Sequence, residues 1–127
     1  MFKKNEVINN ERINTLIGQN TKFEGVLHAE GVIRIDGEFH GEINLNGNLI
    51  LGEEGKIFGN ISANNSIISG MVNGNIKVSN LLRICTTGKV IGDIHIGNLV
   101  IEEKAVFDGK CKMQDAKKFS EAEVERS

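Results

Sequence analysis

The sequence predicts an all-β fold, a β-solenoid of about six short rungs with a roughly triangular cross-section, and three observations carry that prediction. Six glycines, Gly25, Gly41, Gly59, Gly74, Gly92 and Gly109, share one local pattern, apolar–any–Gly–any–apolar, at intervals of 16, 18, 15, 18 and 17 residues. A period of that length, rich in β-branched residues, is too short for a helix pair and fits one solenoid rung. Alternation is the second observation. The second and fourth residues after each glycine are Leu27/Ala29, Ile43/Leu45, Ile61/Ala63, Ile76/Val78, Ile94/Ile96 and Cys111/Met113, all apolar, whereas the interleaved columns are polar in eleven of twelve places. Such a period of two marks strands with one face buried. The third is a recurring turn five and six residues after the glycine: Glu30-Gly31, Asn46-Gly47, Asn64-Asn65, Ser79-Asn80 and Gly97-Asn98. These residue types tolerate positive φ or hydrogen-bond their own backbone.

Taken in order, residues 1–12 are polar, carry no β pattern and read as a flexible N-terminal tail. Ile13, Leu16 and Ile17 open the first rung, and the solenoid domain runs over 13–113. Each rung then offers the strand around its glycine and the turn just described. A second inward pair follows: Ile33/Ile35, Leu49/Leu51, Ile67/Ser69, Leu82/Ile84 and, one residue early, Leu99/Ile101. The distance from that pair to the next rung varies, so the third corner absorbs changes of length. Parity points the repeat glycines themselves inward, where a missing side chain lets the wall bend. Residues 114–127 are charged, lack glycine and read as a disordered tail or a frayed helix.

Composition excludes several functions. The 127-residue chain has a formal net charge of −2 and scattered basic residues, so it carries no footprint for nucleic acid. No stretch approaches the roughly 20 apolar residues of a spanning helix. Two cysteines without a signal peptide fit a reducing cytoplasm. Cys111 faces inward and Cys85 lies in a corner two rungs earlier, so no disulfide is expected. His28 and His95 share an outward column but stand four rungs apart, about 19 Å at ladder spacing, too far to share a metal. With His40 also outward, the histidines read as solvated surface. No nucleophile–base pair, phosphate loop or metal-ligand cluster is present, so neither catalytic residues nor a cofactor are expected. A left-handed β-helix acyltransferase is the competing enzyme reading, but its rungs are written in hexapeptides, of which only Ile17-Gly18 and Leu51-Gly52 are fragments here. Four outward positions break the polar rule: Ile50 and Ile68 in successive rungs, and Phe58 and Ile91 beside the glycine column. Single exposed apolar residues are ordinary, and a lateral contact strip between rods is the other reading.

Residues 15–113 resemble the bactofilins. Thr15-Leu16-Ile17-Gly18 with Phe23-Glu24-Gly25 is similar to the family's opening rung. Val72-Asn73-Gly74-Asn75-Ile76 and Val90-Ile91-Gly92-Asp93-Ile94 match its body, and 106–113 (Val106-Phe107-Asp108-Gly109-Lys110-Cys111-Lys112-Met113) its closing signature. The resemblance implies a right-handed parallel β-helix that assembles end to end, without nucleotide, into non-polar cytoskeletal filaments. It further implies a cytoplasmic scaffold, often at the membrane, for cell-wall enzymes, cell shape or organelle positioning. Met1-Phe2-Lys3-Lys4 resembles the short membrane-binding peptide of other members and suits an anionic lipid surface. The proline-rich, basic extensions of some members are absent. The residues supply a reason for polymerisation: neither end carries a capping helix or proline, and uncapped rungs expose strand edges and core. Leu16, Ile17 and Phe23 at one end, with Phe107, Cys111 and Met113 at the other, are the expected polymerisation contacts.

Overall fold

The computed structural model describes residues 13–113; the N-terminal tail with its peptide Met1, Phe2, Lys3 and Lys4, and the tail 114–127, lie outside the described residues. Ten strands follow one another: β1 (Ile13–Ile17), β2 (Lys22–Ile35), β3 (Glu38–Leu51), β4 (Lys56–Ile68), β5 (Met71–Asn73), β6 (Ile76–Ile84), β7 (Lys89–Ile91), β8 (Ile94–Ile101), β9 (Val106–Asp108) and β10 (Cys111–Met113). Every pairing is parallel and joins one rung to the next. The result is a β-solenoid of about six turns.

Inward columns line its three faces, and one column on each shows the stacking. On the first, Phe23, Phe39, Ile57, Val72, Val90 and Phe107 stack in register. Leu27, Ile43, Ile61, Ile76, Ile94 and Cys111 line the second. Ile17, Ile35, Leu51, Ile68, Ile84 and Ile101 line the third. β-branched residues dominate because they fill a pleated, fully covered surface with one stiff rotamer each.

The corners explain the glycines. Between the first and second faces the repeat glycines take φ values from 135° to 153°. A Cβ on Gly41, Gly59, Gly74, Gly92 or Gly109 would also run into the carbonyl oxygen of the glycine one rung below. Both the backbone region and the close approach demand glycine. These residues do not point into the core as strand parity suggests: Gly25 and Gly41 are exposed, because the chain bends there and the alternation restarts.

At the second corner the expected turns are absent in every rung: β2, β3, β4, β6 and β8 continue through 30–31, 46–47, 64–65, 79–80 and 97–98. The bend is taken inside the strand, Gly31 adopting φ 96°. Asparagine side chains hold this edge. Asn14 Oδ1 accepts the Val32 N–H at 2.8 Å. Asn65 donates to Asn48 Oδ1 and accepts from Asn80 Nδ2, both at 2.9 Å. Asn98 in turn donates to the Asn80 carbonyl at 3.3 Å. An amide that donates down and accepts from above is the natural side chain for a parallel stack.

The third rung departs from expectation. The inward pair is Ser66/Ile68, paired with Leu49 and Leu51, and not Ile67/Ser69. This rung is shortest by glycine spacing, and the register slips between Asn44 and Asn48, advancing its second half by one residue. Ile68 is therefore fully buried and Ile67 is 40% exposed, so the outward partner of Ile50 is Ile67. With that slip, the third corner has two lengths only: two residues at 36–37 and 69–70, and four at 18–21, 52–55, 85–88 and 102–105.

Replacing Gly59 by alanine combines a disfavoured φ with a backbone collision and should destabilise the fold by about 3 kcal/mol or more. The Ser66 hydroxyl is buried and has no hydrogen-bond partner. Ser66→Ala should therefore be neutral or stabilising by about 1 kcal/mol, since an unsatisfied hydroxyl is removed. Urea unfolding followed by circular dichroism checks both signs.

Candidate assembly surfaces

A stacked rod has two kinds of free surface, its ends and its sides. At the first end the edge consists of β1 and the first half of β2, residues 22–31, which pairs only upward with β3. At the last end it consists of β9, β10 and residues 98–101 of β8, which pair only with the rung beneath. Among the described residues, no strand meets the outer backbone groups of either edge.

The inner columns end open at the same places. Phe39 is fully buried, and the Phe23 ring stacks on it with centroids 4.9 Å apart and planes 10° from parallel. Among the described residues no rung lies beneath the other face of Phe23. Phe23, Leu27 and Ala29 at one end, and Leu99, Ile101, Ala105, Phe107, Cys111 and Met113 at the other, are half-buried residues packed against the core. Of the contacts expected from sequence, Phe107, Cys111 and Met113 share the last rung, over Val90, Ile94 and Ile96. Phe23 crowns the first. Ile17 is already buried by its own chain, and Leu16 projects sideways, 60% exposed, next to Arg34. Leu27, Ala29, Leu99, Ile101 and Ala105, which the sequence reading does not place among the end residues, are half-buried there too, and the first four lie in inner columns legible from the alternation.

The sides offer little chemistry. A shallow groove of about 770 Å³ runs along the second face, between the exposed columns containing Glu42, Asp93 and Lys110 and those containing Lys77, His95 and Lys112. Its floor is the buried isoleucine column, so it presents no aligned nucleophile and base. His28 and His95 are four rungs apart in one exposed column. His40 stacks on Phe58 at 4.7 Å, and its Nε2 lies 2.6 Å from Glu38 Oε2. The hydrogen bond from His40 holds the Glu38 carboxyl below its ordinary pKa. Among the described residues no group of three or more His, Cys, Asp or Glu could hold a metal ion, and no disulfide joins Cys85 to Cys111. Among them, too, no helix is long and apolar enough to cross a membrane.

The third face differs. Its outward column reads Leu16, Arg34, Ile50, Ile67, Arg83, Val100. Arg34 Nε donates to Asp36 Oδ2 at 2.9 Å, and Arg83 Nη1 to Glu102 Oε2 at 3.1 Å. Each cation is thus turned toward a carboxylate at the edge of the face.

Comparison with known proteins agrees with this architecture. A family model described as "Bactofilin: Polymer-forming cytoskeletal" matches residues 15–112. The chain is 30% identical over 102 residues to bactofilin BacP of Myxococcus xanthus (strain DK1622), a match covering 80% of this chain but only 42% of BacP. It is 31% identical over 100 residues to bactofilin BacO of the same organism, covering 79% of each. A cryo-EM reconstruction of Thermus thermophilus bactofilin double helical filaments superposes with a TM-score of 0.70 at 25% identity, covering 76% of this chain and 98% of that one. The crystal structure of a phenylalanine-to-arginine mutant of Thermus thermophilus bactofilin gives 0.66 at 26% identity, with coverage of 69% and 98%.

The open ends have an energetic signature. Phe39→Ala empties a fully enclosed site and should cost about 3–5 kcal/mol. Phe23→Ala should cost less than half of that in the unassembled chain, where one ring face is already wet. Equal losses in urea titrations of the two variants, at concentrations too low for assembly, would mean that the first end is closed.

Proposed function

The chain belongs to the bactofilin family, and from that premise we propose that it is a structural protein whose rods assemble end to end, without nucleotide, into non-polar filaments. The family is polymer-forming and cytoskeletal. It is not a family of enzymes, which sets aside the acyltransferase reading. One observation carries the end-to-end reading: the first inner column finishes in phenylalanine at both ends, Phe23 and Phe107, with core uncovered beside each. A second rod placed on either end continues the strand ladder and covers the ring. In a filament without polarity, the Phe23 end meets another Phe23 end and the Phe107 end another Phe107 end, each contact an isologous two-fold. Passive burial of this kind needs no fuel, which suits a chain without a phosphate loop.

The scaffold operates in the cytoplasm, peripheral to the inner face of the cell membrane, and positions clients such as cell-wall enzymes. The sequence of the first four residues supports the membrane contact: Phe2 suits the headgroup boundary, and Lys3 and Lys4 add about 1 kcal/mol each toward anionic lipid. For one chain that sum is marginal, whereas a filament multiplies it by presenting many copies at once.

Negative-stain images of the purified protein without nucleotide or metal should show filaments; monodisperse particles across salt and concentration would refute the proposal. Phe107→Arg places an unpaired cation in the end contact, at a cost of several kcal/mol. It should yield folded monomers or short species, with the β signal retained in circular dichroism. Loss of that signal, or undiminished filaments, would assign Phe107 to the internal core alone. Wild-type filaments should sediment with anionic vesicles, while deletion of residues 1–4 should leave filaments intact but in the supernatant.

A further inference from the structure

We propose that the third face of the rod, through its outward stripe of Leu16, Ile50, Ile67 and Val100, is the surface by which two filaments of this chain pair side by side. The inference rests on the filament reading above and identifies the lateral contact.

The first argument is an inversion in the third rung. There the chain places a serine inward and an isoleucine outward. Ser66 is 1% exposed with an unsatisfied hydroxyl, while Ile67 is 40% exposed directly beside Ile50. Core packing gives no reason for this exchange, and departures from the local pattern mark surfaces kept for something other than folding.

The second argument is charge. The two arginines in the stripe are each held by a carboxylate, Asp36 and Glu102, at the edge of that face. The apolar residues between them therefore sit on a face neutralised from within. The first face instead exposes Lys56 and Lys89, and the second exposes Lys77, Lys110 and Lys112. A surface meeting its own copy must avoid like charges in opposition; both cations of the third-face stripe are paired, whereas on the first face Lys22 pairs with Glu24 and leaves Lys56 and Lys89 exposed.

Third, the stripe spans the rod and its size makes pairing conditional. It runs from the first rung (Leu16) to the rung of Val100 at the far end, so each subunit added to a filament adds another stripe. A strip about 10 Å wide along a rod of about 29 Å offers roughly 300 Å² per subunit. A stable interface needs about 800 Å² per partner, so a lone subunit falls short and about three stacked subunits suffice. Lateral pairing thus follows polymerisation and does not precede it.

The test is filament width in negative stain, read for wild type, Ile67→Lys, Ile67→Ser and Ile91→Lys, with circular dichroism to confirm the fold. Wild-type filaments should be paired, and should remain so in high salt because the contact is apolar. Ile67→Lys repeats an uncompensated cation in every subunit and should lower the paired fraction by about tenfold or more, since the loss is multiplied along the filament. Ile67→Ser adds no charge and should weaken pairing in the same direction; it decides the matter if the lysine variant fails to fold. Ile91→Lys, on the first face, should pair like wild type. Ile67 variants that stay paired, or an Ile91→Lys variant that separates, would overturn the proposal. So would Ile67→Ser filaments of unchanged width that no longer sediment with anionic phosphatidylglycerol vesicles, because the apolar face would then meet lipid. Wild-type filaments that are always single refute the lateral contact and leave the filament reading standing; no filaments at all refute both.

Discussion

Parallel stacking in register, with each residue placed over its counterpart one rung below, constrains everything else in this protein. At about 4.8 Å between rungs, a side chain meets its own kind before it meets anything else. Glycine must sit on glycine at the first corner, because the carbonyl beneath leaves no room for a Cβ. Asparagine sits on asparagine at the second, because an amide can donate to one neighbour and accept from the next. Isoleucine sits on isoleucine inside. Repetition in the sequence is the direct imprint of repetition in space.

The same constraint leaves the ends unfinished. An inner column can be closed only by one more rung, a capping element or another molecule. Phe39 is sealed because Phe23 stacks against it; nothing of the described chain does the same for Phe23 or Phe107. A boundary between two subunits is then physically a boundary between two rungs that lacks only the covalent link. The sides are a different matter, since their backbone groups are spent within the sheet. Any contact made there must come from side chains, and the faces are distinguished by how their charges are paired.

Much of this was legible from the residues. The six glycines and the apolar pairs that follow them carry the rung count, the inward columns and four of the nine half-buried end residues, Phe23, Phe107, Cys111 and Met113. What misled was strand parity carried across a corner. Parity holds along an extended segment and is reset wherever the chain bends, so it turned the repeat glycines inward although Gly25 and Gly41 are exposed. It also put Ile67 and Ser69 inside, because counting from Gly59 assumed a second corner of constant length. Ser66-Ile67-Ile68-Ser69 reads equally well in either register: each choice buries one isoleucine and one serine. Only the stack beneath, Leu49 and Leu51, decides between them. Leu16 shows the same limit at the edge strand, where an apolar residue adjoining a buried one could not be separated from it by pattern.

Once the slip is in place, the third corner has just two lengths, differing by two residues. An even difference preserves the inward or outward sense of the strand that follows, whereas an odd one would turn the next face inside out. Corner length can therefore vary freely by twos while every column stays aligned. The odd step is confined to the second corner, where asparagine amides bridge the mismatch between Asn48, Asn65 and Asn80. Glycine spacings of 15 to 18 residues are compatible with one uninterrupted core for that reason. The irregular rungs leave both end rungs with the same inward columns as the middle, and a rod whose ends repeat its interior is a rod that another can extend.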